Sequence, residues 1–196
     1  MSTKIIGLTG KAGSGKSTVA LWLTTPHAHH PHGREAHFAA PIKAAISALG
    51  LFPWHVIHGA SAERATRHPT LGFTAREALQ RLGTEWGRAL HPDIWATLGV
   101  ERALELLARR DTSHVVISDV RFTNEARAIV AAGGEVWRIQ RPGAGLTGAA
   151  AEHPSETEMD TDAFTDYVAR VVHNTGSLDD LRAGVLRAAR HGGITV

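Results

Sequence analysis

The chain has 196 residues, enough for one α/β domain with a full core and small insertions but too few for a second independent domain. It holds no cysteine, which excludes disulfides and thiolate metal sites, and no apolar run approaches the roughly 18 residues of a membrane span, so a soluble, unprocessed cytoplasmic protein is expected. A net charge of +2, from 21 basic and 19 acidic residues, is a small excess rather than a polyanion-binding stripe, so a duplex nucleic-acid partner is not demanded, although the balance leaves one open.

Ile5-Ile6-Gly7-Leu8 is a short apolar run of the kind a buried strand uses, and Ser17 to Thr24, with Val19, Ala20, Leu21 and Leu23, has the pattern of a helix. Between them, Gly10-Lys11-Ala12-Gly13-Ser14-Gly15-Lys16-Ser17 fits the phosphate-loop pattern G-x-x-x-x-G-K-[ST] at every fixed position, in the strand–loop–helix context that pattern requires. The glycines let the backbone turn its N–H groups inward beside the positive end of a helix, so Gly10, Ala12, Gly13, Ser14, Gly15, Lys16, Ser17 and Thr18 are the expected nucleotide-phosphate contacts. Lys16 supplies a mobile charge for the β- and γ-phosphates, and the Ser17 hydroxyl can hold Mg²⁺. The motif speaks for nucleotide binding and is silent about the acceptor.

Pro26 to Gly33 has loop composition, with His27, His29, His30 and His32 either a transition-metal cluster or a solvated surface loop. Glu35 to Ala40 is expected as a second strand ending at Pro41, and Ile42 to Leu49 as a helix closed by Gly50. Lys43 lies in that helix's first turn, a poor place for a cation unless a ligand anion is also there; an ordinary solvated lysine is the alternative. Leu51 to Leu71 is irregular, with room for one short helix. Thr74, followed three residues later by Glu77, predicts a capping box and a helix to about Trp86, with Ala78, Leu79, Leu82 and Trp86 inward. Arg76, Gln80 and Arg88 are long polar groups along it, forming either a phosphate-and-base recognition surface or solvated helix charges.

Ile94 to Arg109 is the next predicted helix, with Leu98, Ala103, Leu104, Leu107 and Ala108 inward. His114 to Asp119 is an apolar strand ending in a carboxylate, which a doubly wound sheet would place beside the glycine loop and its Mg²⁺; a helix-capping aspartate is the alternative. Thr123 to Ala132 follows as a helix with Ala126, Ile129 and Val130 inward, then Glu135 to Ile139 as a strand. The Gly/Ala-rich stretch Pro142 to Ala151, flanked by Arg138 and Arg141, has the composition of a lid closing over phosphates. A short helix at His153-Pro154-Ser155-Glu156, a last strand from Tyr167 to Val172 and a closing helix from Leu178 to Ala189 complete the chain.

Ile117-Ser118-Asp119-Val120-Arg121-Phe122-Thr123-Asn124-Glu125-Ala126 resembles the strand-and-helix signature of the bacteriophage deoxynucleoside monophosphate kinases, within the P-loop nucleoside monophosphate kinase superfamily. Phe38-Ala39-Ala40-Pro41-Ile42-Lys43, Arg76 to Glu85 with Arg88, His153-Pro154-Ser155-Glu156 and Asn174-Thr175-Gly176 support it in the expected order. The resemblance implies a three-layer, doubly wound parallel α/β sheet: a core of about 1–37, 96–140 and 161–196, a monophosphate-binding insertion of about 38–95 and a lid of about 141–160. It implies that Phe38, Lys43, Arg76, Gln80, Thr84, Arg88 and Glu156 bind the acceptor. Lys16, Asp119, Arg121, Arg138 and Arg141 would serve the transferring phosphoryl, with Ser17 and Asp119 on the metal and Asn174 near the donor adenine. The implied reaction is Mg²⁺-dependent transfer from ATP to a (deoxy)nucleoside 5′-monophosphate. Phosphorylation of a hydroxymethylated pyrimidine in phage DNA and an NTP-dependent regulatory switch are the alternatives, and a homodimer is an open state. An acceptor phosphate is already a nucleophilic anion, so no general base is assigned.

Overall fold

A computed structural model describes residues 4–25, 32–59, 62–152 and 154–194; His27, His29, His30 and His153 lie outside them. The chain divides into two compact units, residues 1–37 with 100–196, and residues 38–99.

The first unit is built on a five-stranded, all-parallel sheet. In chain order its strands are β1 Ile5–Thr9, β2 His32–Ala36, β3 Thr112–Ile117, β4 Glu135–Gln140 and β5 Val168–His173, laid side by side as β2-β3-β1-β4-β5. The central strand β1 is buried at every position, as a parallel strand covered on both faces must be. On one face Ile6, Leu8, Val116, Trp137, Ile139 and Val172 pack with Val19, Ala20 and Leu23 of helix α1, Lys16–Thr24, and with Leu181, Val185 and Ala189 of the C-terminal helix Leu178–His191. On the other, the helix Thr123–Ala131 lies so close that a Cβ on Gly7 would stand 2.5 Å from Ile129 Cδ1. Helix, sheet and helix make the three layers of a doubly wound α/β fold.

The second unit contains helix α2, Ala40–Ala48, α3, Trp54–His58, a 3₁₀ turn at Glu63–Ala65, α4, Ala75–Gln80, a π-helical stretch Arg81–Gly87, α5, Arg88–Leu90, and the start of α6, Ile94–Leu107. Its core is Ile46, Phe52, Val56, Ile57 and Ala75, flanked by Leu79 and Leu82. The Thr74 capping box forms: Thr74 Oγ1 accepts from Glu77 N at 3.1 Å and Glu77 Oε2 accepts from Thr74 N at 2.6 Å. Those bonds stabilise the ionised Glu77 carboxylate and hold its pKa down. Gly87 leaves room for Trp95, whose ring a Cβ there would approach to 2.2 Å and whose Nε1 donates to Gly83 O at 2.6 Å.

Four expectations are corrected. The second strand ends at Ala36, and Pro41 sits in the first turn of α2, because proline's missing N–H costs nothing there. In α6 Trp95, Ala96, Gly99, Ala103 and Leu106 are buried, whereas Leu98, Leu104 and, just past its end, Ala108 are exposed. Trp86 is also exposed, because the π turn shifts the phase of the helix it ends. Val130 faces outward, and Glu125 is buried in that helix's first turn instead. No helix among the described residues is long and apolar enough to cross a membrane.

Candidate nucleotide site

The glycine loop leaves the end of β1 with Gly10, Gly13 and Gly15 at φ of 140°, 75° and 105°, where a side chain is strained. Gly10 has a second reason to be glycine: a Cβ there would stand 2.3 Å from the Ile139 carbonyl oxygen. Helix α1 follows with no side-chain cap and no acidic residue in its first turn, so its leading N–H groups and positive dipole end remain for an anion. Asn174, just past β5, donates from Nδ2 to Ser14 O at 2.9 Å and braces the loop from the β5 side. Ser14 Oγ is buried with no hydrogen-bond partner among the described residues, a polar atom left over inside the loop.

Lys16 folds back over the loop, its Nζ donating to Gly10 O at 2.6 Å and Lys11 O at 2.9 Å. Burial first, and then the nearby Arg121 cation, lower its pKa from 10.5 to about 8, against the pull of Glu156. Arg121 pairs with the Glu156 carboxylate, which is 3% exposed, and also donates to Ser155 O at 3.2 Å. Glu125 accepts from the backbone N of Arg121 at 2.8 Å and of Phe122 at 3.1 Å, which fixes the turn that carries the guanidinium.

The segment after β4 lies along the same loop. Gly145 N donates to Ala12 O at 3.0 Å and Arg141 reaches Gly13 O at 3.5 Å. Lys11 Nζ is 2.5 Å from the Asp160 carboxylate and also donates to Glu156 O. Arg138 donates to Met159 O at 2.6 Å and Thr165 Oγ1 at 3.2 Å. Gly10, Lys11, Ser14, Arg138, Arg141 and Asp160 line a cleft of about 220 Å³. Asp119 stands just beyond the carboxyl end of β3, half-buried, in a turn tied to β1 by Val120 N donating to Leu8 O at 3.3 Å.

The structure thus gathers Lys16, Arg121, Arg138, Arg141, Glu156 and Asn174 around one loop. Lys11, Glu125, Met159 and Asp160 join them without having been singled out in the sequence, Lys11 because it fills a free position of the motif. In the second unit, Phe38 is 2% exposed and packed on Gly99, where an added Cβ would stand 2.2 Å from its ring. Lys43 is half-buried in the first turn of α2. Arg76, Gln80, Thr84 and Arg88 recur at every fourth residue across α4, the π stretch and α5. An α turn over-rotates each fourth residue and the wider π turn under-rotates it, so the alternation keeps the four on one stripe.

No family model matches the chain. A protein of Acanthamoeba polyphaga mimivirus named as a deoxynucleotide monophosphate kinase is 35% identical over 164 residues, covering 79% of this chain and 81% of that one. The uncharacterized protein ORF76 of Ictalurid herpesvirus 1 (strain Auburn) is 30% identical over 189 residues, 95% of this chain and 67% of that one. Among solved structures, dephospho-CoA kinase from Campylobacter jejuni superposes with a TM-score of 0.51 at 16% identity, over 95% of this chain and 96% of that one, a likeness of fold. Relationship over most of both chains, joined to a built phosphate loop on a P-loop kinase fold, makes this chain a nucleotide kinase of the deoxynucleotide monophosphate kinase family.

Proposed function

We propose that the chain transfers the γ-phosphoryl of ATP, with Mg²⁺, to a (deoxy)nucleoside 5′-monophosphate and releases the diphosphate. The observation that carries this reading is the set of four cations, Lys16, Arg121, Arg138 and Arg141, arranged around one glycine loop. Phosphoryl transfer spreads negative charge over the equatorial oxygens of the moving group, so a chain that performs it needs positioned cations and little else. The mimivirus relative's name supports a monophosphate as acceptor.

In this reading the loop N–H groups and Lys16 hold the donor's β- and γ-phosphates, and Asn174 lies on the donor's nucleoside side. Arg121, Arg138 and Arg141 follow the transferring group. The stripe Arg76, Gln80, Thr84 and Arg88, with Lys43, binds the acceptor, the arginines on its phosphate and Gln80 on a base edge. Ser17 and Asp119 suit Mg²⁺ because both offer hard oxygen donors, and no group of three or more His, Cys, Asp or Glu among the described residues is arranged to hold a metal by itself. Bound there, the ion would neutralise phosphate charge, with Ser17 and Asp119 as its ligands from the chain and nucleotide and water oxygens completing the set.

The test offers ATP and Mg²⁺ with a panel of ribo-, deoxyribo- and base-modified monophosphates, with duplex DNA in parallel, and separates the products by chromatography. A diphosphate from at least one monophosphate is expected. Transfer to DNA alone, or acceptor-independent hydrolysis alone, would overturn the proposal.

A further inference from the structure

Three side chains that the transfer machinery leaves unused meet at the carboxyl edge of the sheet. Glu35 lies one residue before the end of β2 and His37 one residue after it, so both project to the same side of an extended chain. Ser118 follows the last residue of β3, the neighbouring strand, and immediately precedes Asp119. Ser118 Oγ is 2.5 Å from Glu35 Oε1 and 3.2 Å from His37 Nδ1, and His37 Nε2 is 3.8 Å from that same carboxylate oxygen.

The proton count of this cluster is informative. A serine hydroxyl has one proton, and the short contact gives it to the carboxylate, so Ser118 Oγ must accept from His37 Nδ1–H. The Glu35 carboxylate is therefore oriented by Ser118 and flanked by the His37 ring, and it offers acceptor lone pairs at the sheet edge. The Glu35 and His37 side chains are 36% and 42% exposed, open to whatever occupies that edge.

The order of the strands says what should occupy it. Asn174 approaches the glycine loop from the β5 side, which is where the donor's nucleoside lies in the reading above. In-line transfer places the attacking oxygen opposite the leaving oxygen, so the acceptor lies toward β3 and β2. The end of β2 is two strand spacings from the loop, roughly 10 Å, a span that a nucleotide bridges and a bare phosphate does not.

We propose that the Glu35 carboxylate, positioned by Ser118 and His37, reads a hydrogen-bond donor on the acceptor nucleotide, either a sugar hydroxyl or an exocyclic amino group of the base. Glu35 is a specificity-determining residue for the transfer, and the proposal rests on a monophosphate being the acceptor. A positioned carboxylate is well suited to this, because a ligand without the donor leaves it desolvated and unmatched.

The test measures kcat/KM for Glu35→Gln, His37→Ala and Ser118→Ala against wild type. The acceptors are dCMP, dTMP, which carries a carbonyl where cytosine has its amino group, and the 2′,3′-dideoxy analogue of dCMP. The expected result is a loss of roughly tenfold or more for acceptors that carry the donor and less than about twofold for the one that lacks it, with the KM for ATP unchanged. Loss that disappears with the dideoxy analogue assigns the sugar hydroxyl, and loss that disappears with dTMP assigns the amino group. Equal loss on all three acceptors, or none, overturns the proposal. The three variants perturb the cluster independently, so one that fails to fold leaves two to decide. A wild-type chain that phosphorylates no monophosphate overturns this inference and the proposed function together, and that is seen before any variant is made.

Discussion

Lys16 is the residue whose chemistry differs most from its ordinary state, and that difference predicts a proton taken up when polyphosphate binds. Its pKa is about 8, because the ammonium is buried and Arg121 is close. A triphosphate brings several negative charges to the same ammonium and restores its proton. ATP binding should then take up about one tenth of a proton at pH 7, about half at pH 8 and about nine tenths at pH 9, and affinity should fall toward tenfold per unit above pH 8, about 1.4 kcal/mol per unit. The sign for folding follows the same linkage. The folded pKa lies below the unfolded one, so the unfolded chain binds more protons between about 8 and 10.5, and stability rises with pH across that window. The difference, 10.5 minus 8, is about 2.5 units, and it corresponds to an order of 3 kcal/mol that works against the fold below pH 8. Calorimetric titration of ATP, without acceptor, in two buffers of different ionisation enthalpy measures the uptake directly, and Lys16→Met isolates the contribution of Lys16. No uptake in the wild type at pH 8, or the same uptake in Lys16→Met, would refute the reasoning.

Asp119→Asn should lower activity at limiting Mg²⁺ and recover part of it as Mg²⁺ is raised, since the amide keeps the shape and loses the charge; collapse of ATP affinity with no rescue would make Asp119 structural. Arg76→Ala or Arg88→Ala should raise the KM for the monophosphate roughly tenfold or more, about 1.5–3 kcal/mol per charged contact, while Gln80→Ala changes preference among bases. Steady-state kinetics check this, and equal damage to the KM for ATP would remove the stripe from the acceptor site. Gly10→Ala should lose activity by 10²-fold or more and lower the melting temperature, because its Cβ would stand 2.3 Å from the Ile139 carbonyl at a φ of 140°. A variant with normal turnover would refute the claim that the loop needs that close approach.

The parts of the fold legible in the sequence are those where one local rule acts alone. A phosphate loop needs glycine at fixed offsets, and Gly10, Gly13 and Gly15 all sit at positive φ. Thr74 with Glu77 forms the capping box that its spacing announces. Less legible were choices made by tertiary packing. Helix α6 turns Leu98 and Leu104 outward and buries Ala96 and Ala103 with Trp95, since close approach to neighbouring elements rewards small residues over bulky ones. The π stretch at Arg81–Gly87 moved Trp86 to solvent, and nothing in a 3.6-residue period signals an extra residue per turn. At the site, Arg121 was legible within a motif, whereas Lys11 and Asp160 meet across 149 positions and neither carries a local signal.

The central claim is that the γ-phosphoryl of ATP ends on the phosphate of a nucleotide. Incubating the chain with [γ-³²P]ATP, Mg²⁺ and a deoxynucleoside monophosphate, and locating the label after separating the products, tests it most directly. The account predicts label in the β-position of the deoxynucleoside diphosphate, one for each ATP consumed, and none without acceptor. Label recovered only as inorganic phosphate, at a rate indifferent to the monophosphate, would contradict it.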